Sequence, residues 1–173
     1  MQQDKARLYQ VTLSFGYIMN ILKQQTPIYF RNRMVKRLEL RWAGWEQPLL
    51  ILSLALHPKY RLEMFSSTIK NLTYSHIGRW LTYYYKSWFK KDSTTILQEL
   101  EKFKKQKYPF CNETFKQFND IVEWWKSVSD VAPELGIFAS HLFGICINTA
   151  SCERLFSTMG FLHSKRRNRL QVS

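Results

Sequence analysis

The chain is poor in residues that break regular structure. Its 173 residues include 6 Gly and 5 Pro, too few for the turn every ~8–12 residues that β-sandwiches and barrels require. No segment alternates apolar and polar residues as a half-buried strand does, so the fold class reads as all-α. Long apolar runs are also missing. The longest, Leu49 to Leu56, falls well short of the ~20 residues of a bilayer-spanning helix, and no membrane partner is expected. Residues 1–10 carry Asp4, Lys5 and Arg7 where a secretory signal would place a short apolar stretch behind a basic start. Cysteine is sparse and odd in number. Cys111, Cys146 and Cys152 form no Cys-x-x-Cys pair, and His57, His76, His141 and His163 do not complete a zinc-ligand spacing with them. Cys146 and Cys152 sit in apolar company, so reduced, buried thiols are expected. Acid is scarce: 13 Asp and Glu face 26 Lys and Arg, a formal charge of +13. Such an excess favours a polyanionic partner, nucleic acid before an anionic membrane; the rival reading is a fragment whose remainder is acidic.

What is abundant is apolar and aromatic. Apolar residues make up 45%, with 6 Trp, 9 Tyr and 12 Phe. Leu8, Val11, Phe15, Ile18 and Leu22 repeat at helical spacing over residues 5–24, which Pro27 ends. Residues 31–42 set Arg31, Arg33, Lys36, Arg37 and Arg41 against Met34, Val35 and Leu38, giving either a solvated helix face or a phosphate-contacting one. Leu49 to Leu56 is apolar on every side and should be deeply buried between Pro48 and Pro58. Ile77, Trp80, Leu81, Tyr84 and Trp88, widened by Tyr83, Tyr85 and Phe89, form a stripe that reads as core, with base stacking as the alternative. Thr95 and Gln98 have capping-box spacing for a helix running to about Lys105. The basic stretch from Lys102 to Phe110 reads as the chain's linker. Beyond it, Asn112 can cap a helix over 113–127, and Pro133 opens the next, striped by Leu135, Phe138, Ala139, Leu142 and Ile145. A last helix is expected over about 149–159, ended by Gly160.

The closing residues carry the most specific pattern. Asn148-Thr149-Ala150-Ser151-Cys152-Glu153-Arg154-Leu155-Phe156-Ser157-Thr158-Met159-Gly160 is followed by Lys165-Arg166-Arg167-Asn168-Arg169-Leu170, and preceded by Asp120-Ile121-Val122-Glu123-Trp124-Trp125-Lys126 and Pro133-Glu134-Leu135. In order and spacing this block resembles the C-terminal part of transposases of the hAT (hobo–Activator) superfamily: small residues, Ser-Glu-Arg-x-Phe-Ser, Gly, then Arg-x-x-Leu. Cys152 stands where the family prefers Ser, and Met159 where it prefers a small residue. Midway, Ala55-Leu56-His57-Pro58-Lys59-Tyr60-Arg61 resembles the family's Ala-x-Leu-Asp-Pro-Arg-Tyr-Lys, with His57 in place of Asp.

That resemblance implies a helical insertion-like segment over 1–107 and a dimerisation region over 108–173. The latter would be the closing helices of a ribonuclease-H-like core that lacks its sheet here. It implies that Glu153 matches the Glu of a metal-binding Asp-Asp-Glu triad. Such a triad would hold two Mg²⁺ to activate one oxygen and stabilise another. The strands bearing the two Asp are not present, and Asp4 and Asp92 have unmatched settings. Glu153 is therefore expected as a relic, no metal site is complete, no cofactor belongs to this chain, and Mg²⁺ is expected only where a whole active site is assembled. Trp124, Trp125, Leu155, Phe156 and Met159 are core residues that, in the family reading, adjoin the subunit interface. Arg154 would meet a carboxylate or a phosphate. Lys165, Arg166, Arg167 and Arg169 form a solvated tail, a phosphate-binding cluster or a nuclear import signal.

The expected function is thus the dimerisation module of an hAT-type transposase, truncated, inactive alone and carrying a DNA-binding surface. Its partner would be itself or a full-length transposase, in the nucleus, or in the cytoplasm if the import signal is absent. The alternatives are an active or trans-complemented transposase or nuclease, and a domesticated DNA-binding protein. The chain's start within an insertion and its stop at Ser173 carry the expectation of a truncated element or partial gene.

Overall fold

The computed structural model describes residues 6–24, 28–45, 47–65 and 72–146. Among these residues the chain is helical, and extended backbone pairs only at an isolated antiparallel bridge between Arg7 and Cys146. Helix α1 (Leu8–Lys23) and helix α2 (Ile28–Ala43) lie against one another as a hairpin, and α1 packs on α3 (Gln47–Ala55). A 3-10 turn (Leu62–Met64) precedes α4 (Tyr74–Phe89) and α5 (Ile96–Lys104). Then come α6 (Asn112–Phe115), α7 (Ile121–Ser127) and α8 (Pro133–Gly144).

The all-apolar run behaves as its composition requires. Leu52, Ala55 and Leu56 are at most 1% exposed, because α3 is covered by α1, α4 and α8 at once. Ile77, Leu81, Tyr84 and Tyr85 of α4 face this centre, whereas Tyr83 points outward at 67% exposure. One continuous core runs from Leu52 to Phe143 and includes Phe103, Phe110, Trp124, Trp125, Leu135 and Phe138. Gly136 lets α8 approach the end of α7: a Cβ there would lie 3.0 Å from Ser129 Cα and 3.3 Å from the Trp125 carbonyl.

Four local expectations differ from the structure. The helix expected over 113–127 is two, α6 and α7. Asp120 accepts from the Val122 and Glu123 amides and starts α7 afresh; Asn112 is the first residue of α6 and makes no cap. The stretch read as a linker is anchored, since Phe103 and Phe110 are buried in the core and pack edge to face. Thr95 gives α5 no side-chain cap; its hydroxyl instead donates to Glu99. Cys146 is exposed rather than buried, because α8 has ended and the chain there is paired with Arg7 at the surface. Cys111 is half-buried. Cys152 lies outside the described residues.

Candidate dimerisation surface

The last described helices are held by paired carboxylates. Glu134, in the first turn of α8, reaches across to the start of α5. Its carboxylate accepts from the amides of Thr94 at 3.0 Å, Thr95 at 2.8 Å and Ile96 at 2.9 Å, and from the Thr94 hydroxyl at 3.0 Å. Glu99 of α5, only 2% exposed, answers by accepting from the Leu135 amide of α8 at 2.7 Å. Each helix thus supplies the acceptor for free amides at the other's start, where the helix dipole favours negative charge. Partial burial works against ionisation of Glu134, but the Thr94, Thr95 and Ile96 donors outweigh it and hold the carboxyl below its ordinary value.

A second clamp joins the two ends of the described chain. Arg7 pairs with Asp120 and donates to the Phe143 carbonyl at 3.0 Å. Thr12 of α1 donates to the Leu50 carbonyl. The midway motif forms the third. Arg61, 3% exposed and at φ 53°, donates to the carbonyls of Pro58, Phe103 and Phe110 and lies 4.0 Å over the Phe103 ring. It therefore ties this loop to both ends of the supposed linker, and burial lowers its pKa from the ordinary guanidinium value. His57 accepts from the Lys59 amide through Nδ1 at 3.1 Å, as an Asp side chain does in an Asx turn. Its ring is packed by Tyr9, Tyr60, Phe115 and Phe143. Burial, then Lys59 and Arg61, lower its pKa to about 3, so the ring is neutral, and with its one proton on Nε2 it leaves Nδ1 fit to accept.

Behind these clamps, the sequence-predicted Trp124 and Trp125 are wholly buried, packed edge to face on one another and against Phe110. Any partner of this region meets the residues outside them. On the outer side of α7 and α8 a depression of about 440 Å³ is lined by Phe89, Val122, Gly136 and Ile137, with Lys126 and His141 at its polar edge. Ile137 is 49% exposed, so this face offers apolar area that nothing in the described chain covers. Sequence reading placed Leu135, Phe138 and Leu142 inward but gave Ile137 no role; its position off that stripe was the available signal.

The acids with described side-chain partners are occupied structurally. Asp92 pairs with Lys86, Asp120 with Arg7, and Glu101 with Lys104, while Glu99 and Glu134 cap helices. Among the described residues no three His, Cys, Asp or Glu gather as metal ligands. Glu153, Arg154, Leu155, Phe156, Met159, Lys165, Arg166, Arg167 and Arg169 lie outside the described residues, as does the helix expected over 149–159.

Residues 93–173, just under half of the chain, match the hAT family C-terminal dimerisation region. This segment is similar to the closing part of hAT transposases. The match begins at the residues that Glu134 caps and takes in α5 to α8, so the reciprocal Glu99–Glu134 clamp lies within the matched segment. No curated protein and no solved structure matches the chain. No described helix is long and apolar enough to cross a membrane.

Proposed function

We propose that the chain pairs with a second copy, or with a full-length hAT transposase, through the outer face of α7 and α8, and that it holds DNA by charge without completing a nuclease centre. The match of residues 93–173 to a dimerisation region carries the pairing. The uncovered Ile137 supplies described apolar area for it, and by the family resemblance Leu155, Phe156 and Met159 would adjoin the subunit interface. The net charge of +13 supports DNA as the other partner, with Lys165, Arg166, Arg167 and Arg169 contacting phosphates or directing nuclear import. By the family resemblance, the closing helices would complete a ribonuclease-H-like core. Glu153 would serve Mg²⁺ only beside two Asp that this chain does not match.

Sedimentation velocity over a concentration series tests the pairing. The wild-type chain should self-associate, and Ile137→Asp should shift it to monomer with its far-UV circular dichroism unchanged. A wild type that stays monomeric at every concentration refutes the reading. With Mg²⁺ and terminal-repeat DNA the chain should bind without nicking; nicking that is lost on Glu153→Ala would establish an enzyme instead.

A further inference from the structure

The proposed DNA contact has a second, separate candidate in α2, which carries no buried residue along its 16-residue length. Stepped at about 100° per residue, its inward side is Arg31, Met34, Val35, Leu38 and Trp42, all half-buried, with Trp42 packed on Phe15 of α1 at 5.0 Å. The opposite sector, about 140° wide on the same stepping, holds Arg33, Lys36, Arg37 and Arg41, all exposed. It also holds Tyr29, Phe30 and Leu40, which are 77%, 48% and 66% exposed. Glu39, the one acid of α2, falls outside this sector. Among the described residues the ion pairs involve Arg7, Lys86 and Lys104, and none of these four cations is in one. From Tyr29 to Arg41 the face extends about 18 Å.

Resting on the reading that the chain binds DNA, we infer that this face of α2 is a binding site for an unpaired DNA strand. The cations take the phosphates, and Tyr29 and Phe30 take the bases. Cations alone would fit a duplex backbone, but the rings of a duplex are stacked inside it and leave Tyr29 and Phe30 without a partner. An unpaired strand offers a free ring face at every base, and a cationic track joined to exposed aromatic platforms is how such strands are held. A second copy presenting this same face is the wrong occupant, because it would set four more exposed cations against Arg33, Lys36, Arg37 and Arg41.

The test is fluorescence anisotropy with a labelled mixed-sequence single strand and its duplex, each over a salt series. The quadruple variant Arg33→Ala, Lys36→Ala, Arg37→Ala, Arg41→Ala should lower the log–log salt slope for the single strand by about 3. The all-Lys version at the three arginines should keep it. Tyr29→Ala with Phe30→Ala should leave the slope unchanged and weaken single-strand binding about tenfold or more, with little effect on duplex. These side chains are exposed, so circular dichroism should match wild type; should the quadruple variant misfold, the ring variant alone decides. Neutral ring substitutions, equal affinity for duplex, or equal displacement by polyglutamate would overturn the inference, the last marking an acidic-protein site. A variant with Lys165, Arg166, Arg167 and Arg169 all changed to Ala separates the two readings. Binding lost there but intact in the α2 variants sinks this site and leaves DNA binding standing. A wild type that binds no DNA sinks both.

Discussion

Replacing Glu134 by Ala removes the acceptor for the Thr94, Thr95 and Ile96 amides and the Thr94 hydroxyl in one step. Losing an N-cap costs about 0.5–2 kcal/mol, and charge-assisted bonds are roughly twice as strong as neutral ones. The upper end, about 2 kcal/mol, is therefore expected, offset only where water reaches the half-buried amides. For a domain of this size that corresponds to about 4–8 °C in Tm. Glu134→Gln keeps an acceptor and loses the charge, so about half the effect should remain. The pH dependence has a definite sign. The folded carboxyl sits below its ordinary value of 4.5, so its contribution is complete above 4.5 and is lost as the pH falls through the lower folded value. Urea denaturation of wild type and both variants, at neutral pH and in a series down through pH 4.5, measures this. A Glu134→Ala loss under about 0.5 kcal/mol, or a wild-type advantage over Gln that persists at the acid end, would refute the clamp.

Further outcomes follow from the other buried groups. Arg61→Met should cost about 2–4 kcal/mol by stripping the Phe103 and Phe110 carbonyls of their donor; Arg61→Lys, which cannot fork, should recover part of it in the same denaturation assay. His57, unprotonated down to about pH 3 when folded against 6.5 when unfolded, makes stability fall from pH 6.5 towards 3 at up to about 1.4 kcal/mol per pH unit. His57→Asn should flatten that window while its side chain still accepts from Lys59. Trp125→Ala should cost about 3–5 kcal/mol, read as a lower urea midpoint.

Helix identity was largely legible because it depends on local spacing. The stripes of α1 and α4 and the apolar run of α3 each declare a helix within a few turns, and Pro133 marks the start of α8. The break between α6 and α7 was not legible, since Phe115, Phe118, Val122 and Trp125 keep helical spacing straight across it. Asp120 ends the register by capping and by pairing with Arg7, which is 113 residues away. The anchored state of Phe103 and Phe110 was hidden by the lysines around them, which stay in solvent while the rings turn inward.

The sequence alone determined the helical class, the basic excess and the hAT block, because composition, periodicity and motif spacing are properties of neighbouring residues. Tertiary structure decided which acid caps which helix, why His57 can stand where the family has Asp, and which side of α8 is left uncovered. Those outcomes depend on partners 36 to 136 residues apart, and such partners acquire meaning only once the chain has brought them within hydrogen-bonding distance.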